Sequence, residues 1–111
     1  MVTSTIDVAR AIDEFLAKLS KRIHINAAVL YGSCSNGTAG EWSDIDLAVV
    51  SSDFEGMRRP LRQELLAEAS LGCEPSLSPL GFAASEYTNP GPYSFLAEII
   101  RTGKVVYPPG E

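Results

Sequence analysis

Between Thr5 and about Lys21, the apolar residues Ile12, Phe15, Leu16 and Leu19 recur at helical spacing, while Asp13, Glu14, Lys18 and Lys21 fall elsewhere. The spacing predicts an amphipathic first helix. The pattern changes at Ile25, where Ile-Asn-Ala-Ala-Val-Leu-Tyr runs compactly to Tyr31 and stops at Gly32-Ser33. That run predicts a buried strand entering a tight turn. Cys34 to Glu41 is small and polar, with Gly37 and Gly40, and leaves room for at most a helical turn and a loop. Asp44 to Ser51 (Asp-Ile-Asp-Leu-Ala-Val-Val-Ser) is strongly β-type, and Ser52-Asp53 is suited to cap the next element.

Pro60 sits near the first turn of a helix expected to run to about Ser70, with Leu61, Leu65, Leu66 and Ala69 as its apolar stripe and Gly72 as its stop. Leu77 to Ala84 is a weaker strand: Pro79 removes a donor and Gly81 a side chain, which suits an edge or bulged strand. After the break at Asn89-Pro90-Gly91-Pro92, the residues Phe95, Leu96, Ile99 and Ile100 mark a last helix, closed by Gly103. Lys104 to Tyr107 reads as a final short strand. The order is α-β-(turn)-β-α-β-α-β. It predicts an α/β (α+β) fold, with a small mixed β-sheet of about four strands packed against helices mainly on one face.

Composition narrows this picture. A chain of 111 residues suffices for one core, so residues 1–111 are expected to form a single domain. It is 45% hydrophobic and 21% charged, and no apolar run approaches the ~18 residues of a membrane span. The start, Met1 to Asp7, lacks the basic and apolar stretches of a secretory signal, so a cytoplasmic location is expected, with no membrane partner. Cys34 and Cys73 have no Cys or His at metal-ligand spacing and read as idle or buried thiols. A net charge of −5 argues against a nucleic-acid surface. The densest basic cluster, Arg58-Arg59-Pro60-Leu61-Arg62, reads as a solvated helix start, with Arg58 and Arg62 on one face.

The chemistry is concentrated at two points. Residues two apart on a strand share a face, so Asp44 and Asp46 project together while Ile45, Leu47 and Val49 point to the other side. Two like charges opening an apolar strand are costly, and a divalent cation removes that cost. Oxygen ligands from one or two carboxylates, completed by water and phosphates, are what Mg²⁺ selects. Gly32-Ser33 supplies the complementary half, because a glycine after a strand lets the backbone approach a phosphate closely. A nucleoside triphosphate is the substrate this combination suits, with Gly32 and Ser33 binding nucleotide and Asp44 and Asp46 acting as catalytic metal ligands.

Tyr31-Gly32-Ser33 through Ser43-Asp44-Ile45-Asp46-Leu47 resembles the signature of the minimal nucleotidyltransferases, members of the polymerase β-like nucleotidyltransferase superfamily. Ten residues separate Ser33 from Asp44, as in the Gly-Ser-x10-Asp-x-Asp form of the antitoxins that accompany HEPN-domain toxins. The segment Phe95 to Tyr107 is similar to that family's closing helix and strand. The resemblance implies a polymerase β-like fold, triphosphate held by Gly32 and Ser33, and Mg²⁺ held by Asp44 and Asp46. It also implies transfer of AMP from Mg-ATP to a hydroxyl. In the antitoxin group the acceptor is a tyrosine of the partner toxin, a HEPN ribonuclease, which the modification silences.

The chain departs from that pattern at two places. Many relatives carry an Arg directly after Gly-Ser, where this chain has Cys34. Relatives also carry a third carboxylate on the next strand, where this chain has Ser76 or Ser78. Glu74 and Glu86, near the ends of that strand, read as solvated groups, and no general base is assigned. His24, the only histidine, reads as a boundary residue, and Tyr31 and Trp42 as a core tyrosine and a loop anchor rather than adenine-stacking rings. These departures motivate an alternative: a catalytically impaired nucleotidyltransferase-fold module that neutralises a partner protein by binding it. A small-molecule nucleotidyltransferase fits less well, since such enzymes usually carry an added substrate domain. The oligomeric state stays open, a homo-oligomer included.

Overall fold

The computed structural model describes residues 5–32, 45–73 and 76–108, with the backbone alone for residues 5–7. In chain order the elements are α1 (Thr5–Leu19), β1 (Ala27–Tyr31), β2 (Ile45–Ser51), a 3-10 turn (Ser52–Phe54) and α2 (Arg59–Ser70). They continue with β3 (Leu77–Ala83), α3 (Ala84–Thr88), α4 (Phe95–Thr102) and β4 (Lys104–Tyr107). The strands form one mixed four-stranded sheet in the order β3-β2-β1-β4. β1 is antiparallel to β2 and β4, whereas β2 and β3 run parallel, with α2 as the crossover. The α+β architecture matches the sequence expectation.

Alternation along the strands sorts the core into two layers. Ile45, Leu47 and Val49 of β2 face α1 and α2, where they meet Phe15, Leu19 and Leu66, all at or near zero exposure. The opposite face is thinner: Val29, Ala48 and Phe82 pack against Leu96 and Ile99 of α4, and Tyr31 and Leu80 lie at the edge of that cluster. Two glycines permit the close packing. A β-carbon on Gly81 would stand 2.9 Å from Phe54 and 3.2 Å from Leu66, so β3 meets α2 only because position 81 is bare. A β-carbon on Gly103 would stand 2.9 Å from the Leu30 carbonyl oxygen, where α4 turns into β4.

Pro79 and Gly81 did mark an edge strand, as β3 pairs with β2 and ends the sheet. Boundaries differ from the sequence reading where side chains intervene. β1 begins at Ala27 rather than Ile25, and Asn26 instead joins the strand ends: its N–H donates to Val50 O and its side-chain oxygen accepts from Ser52 N. β3 stops at Ala83 because the Glu86 carboxylate accepts the Ala83 N–H at 2.7 Å, capping α3, an element that hydrophobic spacing did not reveal.

The basic cluster requires a correction. Arg58 and Arg59 are exposed, but Arg62 is buried at 8% exposure. Its Nε donates to Met57 O (2.9 Å), its Nη1 to Gly81 O (3.2 Å) and to Glu86 Oε1 (3.0 Å), and its guanidinium lies 5.7 Å from the Phe54 ring centroid. Every buried charge needs such partners. Glu86 is therefore a structural partner that ties α3 to α2, not a solvated strand end. Among the described residues no helix is long and apolar enough to cross a membrane.

Candidate active site

The end of β1 and the starts of β2 and β3 lie at one end of the sheet. Cα partners run Tyr31↔Asp46 across β1 and β2, and Asp46↔Ser78 across β2 and β3. Directly opposed residues share a face, so Tyr31, Asp46 and Ser78 form a row on the thinner face, the one that carries α4. The face bearing α1 and α2 is filled by Ile45, Leu47 and Leu77 at the same level. The carboxylate thus points away from the main core, half-buried, toward the open side of the sheet.

Gly32 follows Tyr31 with φ +76°, a conformation that side-chain-bearing residues rarely adopt. A β-carbon built on Gly32 would overlap Asp46 Oδ2 and stand 3.2 Å from Asp46 Cγ. The turn after β1 and the carboxylate of β2 are consequently in contact across a bare Cα. Sequence spacing alone placed these two residues in separate halves of a motif, and the fold makes them neighbours. Ser33 and Asp44, the other two candidate residues, lie outside the described residues, as do Cys34, Trp42 and Glu74.

The phenol of Tyr31 responds to this setting. Burial first, and then the negative charge of Asp46, push its pKa up to about 12. Its ring meets Phe95 of α4 edge-on, with centroids 5.7 Å apart and planes at 84°. Tyr31 is thus a neutral, packed residue that spaces Asp46 from α4, in keeping with its reading as a core tyrosine.

Of the two serines at the place of a third carboxylate, the register selects Ser78, which is exposed and directly across from Asp46. Ser76 precedes the strand and contributes its carbonyl, which accepts the Ile45 N–H at 2.9 Å. Glu86 cannot take that place, since Arg62 and the Ala83 N–H hold its carboxylate. Among the described residues no group of three or more His, Cys, Asp or Glu side chains is placed to hold a metal ion. His24 lies at the other end of β1, where its N–H donates to Asp53 and its carbonyl accepts from Ser51. Cys73 is buried, and burial raises its thiol pKa.

A cavity of about 260 Å³ lies further along the same face of the sheet, lined by none of Tyr31, Asp46 and Ser78. Leu80 and Phe82, two and four residues beyond Ser78 on the same face of β3, form one wall. Phe95 and Leu96 of α4 form another, so the Phe95 that touches Tyr31 also borders the cavity. Sequence reading missed this feature because it depends on the short α3 and on the spacing between α4 and the sheet edge.

No curated protein sequence matches the chain. Among solved structures, it is similar to a Sulfolobus solfataricus protein provisionally described as a nucleotidyltransferase, with a TM-score of 0.63 and 17% identity over 73% of this chain and 71% of that one. At that identity the likeness concerns the fold. The family model described as polymerase beta, nucleotidyltransferase matches residues 11–110, nearly the whole chain and including the Gly32 turn, the β2 carboxylate and the closing α4-β4 unit. The chain belongs to the polymerase beta nucleotidyltransferase family.

Proposed function

We propose that this nucleotidyltransferase-type domain transfers AMP from Mg-ATP to a hydroxyl group, and that the acceptor is a tyrosine of a HEPN-type toxin partner, for which the chain acts as antitoxin. The observation that carries the reading is the contact between Gly32 and Asp46. A glycine at φ +76° with a carboxylate against its Cα lets backbone and carboxylate come close enough to share one small, highly charged ligand. Gly32 and Ser33 bind the triphosphate, and Asp44 and Asp46 hold Mg²⁺. Two carboxylates completed by phosphate oxygens and water satisfy that ion, so a third protein carboxylate is not required for binding.

Bound there, Mg²⁺ would neutralise the charge that builds on the phosphates. The acceptor oxygen bonds to the α-phosphorus, the bond to pyrophosphate breaks, and the hydroxyl proton passes to solvent. Within the chain, the Gly32 turn positions the triphosphate and Asp46 fixes the reacting end against it. Tyr31 stays neutral and adds no charge to the site. The test is incubation with labelled ATP, Mg²⁺ and the co-encoded helical partner. Label should pass to the partner and fall by about 100-fold or more in Asp46→Asn. Absence of transfer with any divalent metal would reject the reading.

One observation favours a second reading. Ser78 stands where the family's third carboxylate is expected, and a serine hydroxyl neither ligates Mg²⁺ strongly nor accepts a proton at neutral pH. In that reading the chain keeps the fold, loses turnover, and neutralises its partner by covering it. Neutralisation would then survive Asp44→Asn, whereas its loss in that variant favours transfer.

A further inference from the structure

We infer that the outer edge of β4 pairs antiparallel with β4 of a second copy of this chain, Val105 opposite Val105, so that two four-stranded sheets join about a two-fold axis. The pairing is independent of the proposed transfer reaction and would stand if that reaction failed.

The sheet has two edges, and the fold treats them differently. On β3, Pro79 has no N–H to offer, and α2 takes the carbonyls: Gln63 Nε2 donates to Pro79 O (3.1 Å) and Arg62 Nη1 to Gly81 O (3.2 Å). Another strand finds few groups there to pair with. On β4, among the described residues, no hydrogen bond reaches the backbone from outside its ladder with β1. Its outward N–H and C=O groups are a template for one more strand. One open edge and one closed edge permit a dimer and stop growth there.

Apolar surface flanks the open edge on both faces. Val105 stands directly across from Val29, so it points to the α4 face, where it is 49% exposed. On α4, Phe95 lies toward β3, beside Tyr31 and Leu80. Ile100, five residues on, is turned by about 140° around the helix to the opposite flank, toward β4, and is also exposed. On the other face Val106 and Tyr107 pack against the α1 core and, with Asp13, Leu16 and Ile25, line a groove of about 310 Å³.

Self-complementarity selects a second copy as the occupant. A two-fold axis perpendicular to a sheet keeps every residue on its own face, so it passes through a residue that opposes itself. Centred on Val105, it sets valine against valine on the α4 face, flanked by Ile100 from each copy, and Lys104 across from Val106 of the second copy. Lys104 opposes Leu30 and so projects to the α1 face, the face with the groove that Val106 and Asp13 line. Lys104 and Asp13 are both exposed, and among the described residues neither side chain has an ion pair or hydrogen bond. The axis brings each lysine to the other copy's aspartate, on a chain whose net charge of −5 otherwise sets like charge against like. Strand hydrogen bonds and the apolar strip hold the pair together, and the two charge pairs fix its register.

Sedimentation of the full chain, free of nucleotide and metal, tests this. The mass should be about twice 11.9 kDa at about 100 μM and should fall toward that of one chain on dilution. At least one amide of residues 104–107 should exchange with solvent about tenfold more slowly in the concentrated sample. Val105→Lys, at an exposed position where the fold should tolerate it, sets two like charges on the axis and should weaken pairing by at least about tenfold. Asp13→Lys and Lys104→Asp should each weaken it, and an equimolar mixture of those two variants should recover it, because both pairs in the mixed dimer are again of opposite charge. A chain that is monomeric at every concentration would overturn the proposal and leave the edge to another protein. A dimer indifferent to Val105→Lys, or a mixture that pairs no better than its components, would overturn it as well.

Discussion

The Asp46 carboxylate lies too close to the Gly32 Cα for a β-carbon to fit between them. Two strands thus meet at a point where any side chain larger than hydrogen displaces the group proposed to bind metal. Gly32→Ala should cost about 1–3 kcal/mol from its φ of +76° and should weaken Mg-nucleotide binding even where the protein remains folded. Denaturant unfolding and nucleotide titration of the same sample separate the two effects. An unchanged nucleotide affinity would show that the contact serves the turn alone.

Ser78 offers a gain-of-function test. Ser78→Asp places a carboxylate across from Asp46 on an exposed edge position, where the backbone needs no rearrangement. Transfer should rise by about tenfold or more in the presence of Mg²⁺, within the range of general-base assistance. In metal-free buffer the same variant should be slightly less stable than the parent, because the new charge faces Asp46.

Arg62 is the buried charge on which α2, β3 and α3 converge. Arg62→Ala should destabilise by about 2 kcal/mol, through unmade hydrogen bonds to Met57 O and Gly81 O and lost packing on Phe54. Thermal unfolding checks this. Glu86→Gln should cost less, since that side chain is 39% exposed and keeps an oxygen for the Ala83 N–H.

Acid should reach the same junction. Burial, the largest single influence on Glu86, pushes its carboxyl up, but the Ala83 N–H and the Arg62 guanidinium together outweigh it and hold the pKa below the ordinary glutamate range. A carboxyl with a lower pKa in the folded than in the unfolded state stabilises above the unfolded value, about 4.3, and that stabilisation is lost as pH falls through the folded value. Unfolding followed from pH 6 downward should show a decline that is blunted in Glu86→Gln.

Tyr31 gives the complementary alkaline measurement. With a pKa of about 12 its phenol stays neutral where an ordinary tyrosine ionises, so its share of stability is intact below about 10 and lost between there and 12. In the metal-free protein, the phenolate absorbance missing in Tyr31→Phe should titrate well above the ordinary tyrosine range, and Asp46→Asn should move it downward by a fraction of the whole shift, since burial is the larger cause.

Much of this was legible in the sequence for identifiable reasons. β2 carries alternation and branched residues, α4 carries helical spacing between a break and Gly103, and the glycine after Tyr31 announces a turn. The contact of Gly32 with Asp46 was implied by chemistry but not by distance along the chain. Three features were hidden. Arg62 lies in a basic run that looks solvated, and only the bare backbone at Gly81 and the Phe54 ring give its guanidinium a buried home. α3 has five residues and no apolar stripe, and its start depends on one carboxylate reaching back to Ala83. Ser76 and Ser78 are equivalent in sequence, and only strand register tells them apart.

The parallel pairing of β2 with β3 has a consequence for how such a protein can change. Because both strands start at the same end, position 78 stands across from Asp46 but is exposed and carries none of the core. Exchanging an acid and a serine there leaves every packed residue in place. A single substitution at this position therefore changes the charge facing Asp46 while the folding cost stays small. Thermal stability would differ only slightly between the serine and the acid, so an assay for pyrophosphate release is the sharper comparison of the two.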